Sequence, residues 1–217
     1  MRIPKVAALT HLLGSLFEGT PSTIHVVGDV YLDLIAKVHD LPQWDGDTAI
    51  ETPIETLAGG SALNTAVQLT ELLRTRQQQG QKSPIRKCVL HSRIGADMYG
   101  DLVTSRIREL GVELSACRAG GQGVCICLSG ERDRAFVSYK GTVSELCGDD
   151  IDERKLLTPG TRHIHFAAYF DCVGLQPAVL GLMQRAKSEC GATISIVPQT
   201  DPKGEWRGGL CQLLPHA

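Results

Sequence analysis

Neither sign of charge is in excess in this 217-residue sequence. Its 22 lysines and arginines stand against 24 acidic residues, a formal net charge of −2. That balance leaves no electrostatic footprint for nucleic acid, and the local cluster of Lys82, Arg86 and Lys87 reads as a solvated surface. No GxxxxGK[ST] is present, which excludes a P-loop. The eight cysteines form no CxxC pair and have no partnering histidine spacing, which argues against a zinc or dithiol motif. Several lie in apolar runs, where a reduced thiol packs as a small hydrophobe. This usage points to a reducing, cytoplasmic compartment. There is no internal repeat, and no Pro/Gly/Ser linker divides the chain. The N-terminal stretch MRIPKVAALTHLLGSLFEGTPS is interrupted by Thr10 and His11 and is too short to span a bilayer. No membrane partner is expected.

What is there is an ordinary soluble composition, 42% hydrophobic, enough for one sizeable core. Val6, Leu9, Leu13, Leu16 and Phe17 fall at helical spacing, so residues 1–22 are expected to form a helical extension docked on the domain. The β-branched residues of TIHVVGDVYLDLIAKV, Thr23 to Val38, broken by Gly28, predict a buried strand, a turn and a second strand. Ala62, Ala66, Leu69 and Leu73 form a helical stripe from Ala62 to Arg74. CVLHSRI, RHIHFAAYF and ATISIVP read as strands, and Asp101 to Leu110 and Leu175 to Cys190 as helices ended by Gly111 and Gly191. Strands alternating with helices imply an α/β fold with a mostly parallel sheet. GVCICLSGERDRAFVSYKG alternates about Gly130 and Glu131 and predicts a hairpin. That hairpin and the strands before Gly59 fit no βαβ alternation, and are expected to build a small separate sheet.

Ligands of open α/β sheets bind beyond the carboxyl ends of the strands. Three groups lie there: Asp29 and Asp33; the Gly59-Gly60 pair opening a helix; and Gly95, Asp97 and Gly100. Glycines before a helix let backbone approach a ligand without an intervening Cβ. Ser61 is placed to cap that helix, and Asn64, in its first turn, offers both a donor and an acceptor. Asp33 can accept two hydrogen bonds from adjacent hydroxyls, so Asp33, Gly60 and Asn64 together suit a polyol. As structural alternatives, Gly59-Gly60 is a tight turn, Asp29 and Asp97 are turn residues, and His163 and His165 are packing residues on a strand. For Asp29, Asp97 and the histidines these alternatives weigh more.

Four segments occur in one order: VVGDVYLDLI, LAGGSALNTAV, IGADMYGDLV and GVCICLSGERDRAFV. Together they resemble the ribokinase/PfkB carbohydrate kinase family from about Ile24 to about Leu214. The resemblance implies a ribokinase-like three-layer α/β/α core carrying a small β lid, with lid strands near residues 49–57 and 124–139 in a domain spanning 23–217. It implies transfer of the γ-phosphate of ATP, with Mg²⁺, to a hydroxymethyl group of a sugar or nucleoside. Asp33 matches the acidic residue that binds sugar hydroxyls, and Gly59, Gly60 and Asn64 match the sugar-contacting loop. Pairing of two copies through the lid is a further implication. Two departures stand out. Ser61 occupies a position where ribokinases usually carry lysine; the Gly-Gly-Ser variant is closer to adenosine-kinase-like and some fructokinase-like members, which puts ribose itself in question. The family signature D-T-x-G-A-G-D, which supplies the catalytic aspartate and the phosphoryl-binding amides, does not occur, so the C-terminal part is expected to be missing. Without the groups that signature supplies, this chain is expected to be inactive alone, either as an incomplete copy of a sugar kinase whose full-length protein is the enzyme or as a non-catalytic sugar-binding or subunit-interaction protein.

Overall fold

The computed structural model describes residues 22–217; the helical extension expected for residues 1–22 lies, except for Ser22, outside them. Five strands make the central sheet: β1 (Ser22–Val27), β4 (Ile85–Ile94), β5 (Glu113–Arg118), β8 (Thr161–Ala167) and β9 (Thr193–Val197). Their order is β5-β4-β1-β8-β9 and every pairing is parallel. Parallel neighbours require crossover connections. Helix α1 (Ser61–Gln78) and helix α2 (Met98–Glu109) supply those on one face; short helices α3 (Thr142–Glu145) and α4 (Glu153–Leu156) and the long α5 (Gln176–Cys190) lie on the other path. A short helix, α6 (Leu210–Leu213), follows β9.

The core is split by the sheet. On one side Ala62, Leu63 and Ala66 of α1 and Val103 and Ile107 of α2 pack on Val26, Leu90 and Ile94. On the other, Val179, Leu182, Met183 and Ala186 of α5 pack on Val27, Ile164, Phe166 and Ile194. This is the expected three-layer α/β/α core. Val26 and Val27 are both fully buried, so β1 carries no polar face: a strand covered by helices on both sides reads as a continuous apolar run. Two buried histidines interrupt this side of the core. His25 Nδ1 lies 2.9 Å from His91 Nε2, and burial pulls the two imidazoles down to about 4 and about 3. Both are therefore neutral near pH 7.

A second sheet has the order β3-β2-β6-β7. Its strands are β2 (Tyr31–Lys37), β3 (Glu55–Gly59), β6 (Val124–Ser129) and β7 (Arg134–Tyr139). The β6–β7 pair is the expected hairpin, with Ile126 opposite Val137. The strand leading to the glycine pair differs from expectation. It runs Glu55–Gly59, and residues 49–54 join no strand. Pro53 has no amide hydrogen to give a ladder, so pairing with β2 begins at Glu55. Strand β2 joins β3 on one side and β6 on the other, at the centre of this sheet. Helix α2 begins at Met98 rather than Asp101, because the Asp97 carboxylate caps it by accepting from the Gly100 amide at 2.8 Å. The edge strand β5 was not evident in the sequence.

Candidate functional site

Strand order reverses between β1 and β8. The chain moves outward to β4 and β5 on one side and to β8 and β9 on the other. Such a switch point opens a crevice at the carboxyl ends of the two strands. Asp29 follows β1 there and Asp171 follows β8. Strand β2 starts two residues after Asp29 and carries Asp33 into the second sheet.

Asp29 is buried, with 4% of its surface exposed. Its two carboxylate oxygens accept from the amides of Ser61 and Ala62, each at 2.8 Å. These are the first free N–H groups of α1, which every helix leaves unpaired. Ser61 therefore does not cap this helix: Gly60 is the N-cap residue, no side-chain cap bond forms locally, and the cap comes from Asp29, 32 residues earlier. Burial raises the Asp29 carboxyl above its ordinary value while the two amides pull it down. The fixed backbone leaves no room at Gly60, where φ is +110° and a Cβ would lie 2.7 Å from the Asp29 carbonyl oxygen.

Asp33 contrasts with it. Its carboxylate lies over Gly59, so that a Cβ on Gly59 would fall inside it. The glycine is thus required by the aspartate. Asp33 is half-buried, and burial raises its carboxyl above the ordinary range. Among the described residues no hydrogen-bond donor or cation reaches that carboxylate. Asn64, one turn into α1, is exposed, and its backbone amide donates to the Gly60 carbonyl at 2.9 Å. The structure therefore brings Asp33 and Gly59 together, and sets Gly60 and Asn64 at the start of the helix that follows.

The row of the second sheet through Asp33 reads Leu57, Asp33, Cys125, Ser138 across β3, β2, β6 and β7. Opposed residues share a face, so Leu57 and Cys125 flank the carboxylate. Tyr31 stands on the same face, one row nearer the core. Its hydroxyl is pushed up by burial and by the charges of Asp171 and Asp29. Lys140, just past β7, is held by Asp171 at 2.6 Å. Beyond it a cleft of about 270 Å³ is lined by Lys140, Phe170, Gln176, Lys203, Arg207 and Gly208, among others.

The third candidate group has a structural role. Asp97 caps α2, and its other oxygen accepts from the Gln122 amide at 3.0 Å. Gln122 is 1% exposed; its amide nitrogen donates to the Val30 carbonyl at 2.8 Å and its oxygen accepts from the Gly95 amide at 3.0 Å. It stitches the β1–β2 turn to the loop after β4. Nothing in GGQGV marks it, because a surface glutamine and a buried one look alike in sequence. His163 and His165 bond to Ser195 at 2.8 and 2.7 Å, as packing residues do. Among the described residues no group of three or more His, Cys, Asp or Glu side chains is placed to hold a metal, and no helix is long and apolar enough to cross a membrane.

An α/β/α core with a four-stranded sheet beside its switch point, and a carboxylate presented over a Gly-Gly turn, define a ribokinase-like protein. The profile of the pfkB family carbohydrate kinases matches residues 22–217, and the chain belongs to that family. Solved structures agree in fold. Ribokinase from Thermotoga maritima superposes with a TM-score of 0.65 at 18% identity, over 88% of this chain and 57% of its own. Arabidopsis thaliana ribokinase, solved with ribose and ATP, gives 0.61 at 16% identity, over 82% of this chain and 53% of its own. Adenosine kinase from Sinorhizobium meliloti gives 0.61 at 17% identity, over 81% and 56%. The chain thus spans little more than half the length of the structures it matches. No curated protein matches it.

Proposed function

We propose that this chain carries the acceptor-binding part of a PfkB-type sugar or nucleoside kinase, the reaction being transfer of the γ-phosphate of ATP to a hydroxymethyl group. One observation carries the reading: a half-buried carboxylate, Asp33, lies against backbone at Gly59 with no donor among the described residues to satisfy it. A buried polar group left unpaired costs free energy, and a vicinal diol supplies two donors at the spacing of one carboxylate. Gly59 and Gly60 admit the sugar, Asn64 reads a further hydroxyl, and the second sheet is the lid. ATP with Mg²⁺ is the donor in this reading. Residues 1–217 include no D-T-x-G-A-G-D segment to supply a base and phosphoryl-binding amides. Phosphoryl transfer depends on positioning and charge neutralisation; without those groups residues 1–217 bind acceptor and do not turn over ATP. The site of action is the cytoplasm. Exposed Ile126, Val137 and Tyr139 on the lid suit pairing with a second copy.

Hydrogen exchange tests the reading. Amides of the Val124 to Tyr139 hairpin should gain protection when saturating ribose or adenosine is added. Equal exchange with and without every acceptor tried would make the hairpin a plain surface element. Sugar-dependent ATP turnover by purified residues 1–217 would contradict the assignment of catalytic groups outside this segment.

A further inference from the structure

At the far end of α1 from the Gly59-Gly60 turn lies a pocket of about 210 Å³, lined by Thr70, Arg74, Gln77, Arg86, Lys87 and Glu113, among others. Gln77 comes sixteen residues after Ser61, about 24 Å along the helix axis. Arg86 stands two residues before Cys88 on β4 and so shares its face of the sheet, the face on which α1 packs. That turns Arg86 toward the C-terminal half of α1, where Arg74 and Gln77 are neighbours at a spacing of three residues. Gly111 forms a further wall, and a Cβ there would meet nothing within 4 Å.

Charge in this pocket is unbalanced. Glu113 is held by Lys87 at 2.9 Å. Arg74 pairs with Glu71 at 2.7 Å, but both side chains are more than half exposed, and such a pair is worth little. Arg86 pairs with no carboxylate among the described residues. Two guanidinium groups thus flank one pocket with a single, loosely held counter-charge.

Thr70 adds an independent observation. A helical threonine can satisfy its hydroxyl on the carbonyl four residues back, as Thr65 does on Ser61 at 2.9 Å and Thr104 on Gly100 at 2.7 Å. The Thr70 hydroxyl is buried and bonds to nothing among the described residues. Leaving it unpaired costs free energy. Threonine in a helix has two χ1 wells, so the group is free to turn to an acceptor in the pocket it lines.

We propose that this pocket binds a small phosphomonoester or free phosphate. The phosphate group brings three acceptor oxygens and nearly two negative charges. These match the forks of Arg74 and Arg86, the Gln77 carboxamide and the Thr70 hydroxyl. The partial negative charge at the C-terminus of α1 opposes an anion, but it is smaller than the charge of either guanidinium. The volume, below the roughly 300 Å³ at which pockets for drug-sized ligands begin, restricts an ester to a small one. The site is separate from the acceptor site and joined to it by α1, whose first turn bears Asn64. It stands whether or not the acceptor-site reading does.

Calorimetric titration of the full 217-residue chain with inorganic phosphate and with ribose 5-phosphate tests it. At least one should give saturable heat, and the tighter of the two tells whether free phosphate or an ester is the preferred source. Added sodium chloride should weaken the binding by screening. Arg86→Gln should weaken it at least about tenfold, since charge-assisted hydrogen bonds to phosphate are the strong ones. Thr70→Val, which keeps the shape, should weaken it a few-fold without lowering the melting temperature. Lys82→Gln, in the loop before β4 and outside the lining, should change nothing. Asp33→Asn should leave the inorganic phosphate titration unchanged, which separates this pocket from the acceptor site. No saturable binding of either probe would overturn the proposal. A loss in Lys82→Gln equal to that in Arg86→Gln would overturn it by reducing the effect to diffuse surface attraction. Phosphate binding lost in Asp33→Asn and kept in Arg86→Gln would overturn it by placing the anion at the acceptor site.

Discussion

Two turns in this protein look alike as sequence and behave differently as structure. LAGGSALN and IGADMYG each follow a strand, each carry two glycines, and each open a helix. In the second, both oxygens of the aspartate are consumed within the protein. Asp97 accepts from Gly100 and Gln122, and Gln122 accepts from Gly95. In the first, Asp29 consumes the helix amides but Asp33 is left open beside Gly59. Glycine and aspartate after a strand therefore do not mark a site by themselves. The mark is a polar group that the fold buries halfway and does not satisfy.

That difference can be broken from either side. The largest effect should come from the closed turn. A Cβ on Gly100 would collide with the Gly95 carbonyl, which is backbone and cannot rotate away. Gly100→Ala should cost about 3 kcal/mol or more in stability, read from the denaturant midpoint. The Gly59→Ala clash meets a side chain instead, that of Asp33, so it should cost less stability and abolish sugar binding. Gln122→Ala comes next. It strands the Gly95 amide and the Val30 carbonyl in a buried place, at about 1–3 kcal/mol for each group left unpaired, with no direct effect on ligand.

Acidity should separate the turns further. Burial raises the Asp33 carboxyl, whereas the two amides and capping geometry around Asp97 lower that one despite its partial desolvation. Asp33 gives up its charge first as pH falls. Sugar affinity should therefore decline as pH drops through a value above the ordinary Asp range near 4, while Asp97 still holds its helix. The sign for stability is opposite: a raised Asp33 value favours folding below the unfolded value and loses that contribution as pH rises through the folded one. Affinity that stays flat from pH 7 to pH 4 would contradict this order. The smallest effect belongs to Asn64→Ala. Losing one neutral hydrogen bond from an exposed first-turn residue costs about 0.5–1.5 kcal/mol, a few-fold in sugar affinity, with stability nearly unchanged.

Much of this was legible in the sequence because it rests on periodicity. The α/β alternation, the stripe of α1, the buried run of β1 and the β6–β7 hairpin each follow from spacing of apolar residues. The four motifs in order located the family. Long-range polar pairing was not legible. Asp29 reads as a turn residue, and its partners lie 32 and 33 positions away; Ser61 reads as the cap that Asp29 in fact provides. Gln122 reaches Val30 across 92 positions. Spacing also could not show that β2 lies outside the core sheet as an inner strand of the second sheet, because a strand paired on both edges has the same pattern in either sheet.

The central claim is that Asp33, alone among these carboxylates, is open for a diol. Its direct test is titration of ribose and adenosine into the unaltered protein and into Asp33→Asn, with thermal unfolding of both. The substitution keeps size and removes the charged acceptor, which is worth about 1.5–3 kcal/mol in hydrogen bonding. The account predicts a loss of affinity of about tenfold to a hundredfold, with a melting temperature equal to or slightly above that of the unaltered protein. Unchanged affinity for every ligand that binds, or a variant that unfolds as Gly100→Ala should, would place Asp33 among the structural residues instead.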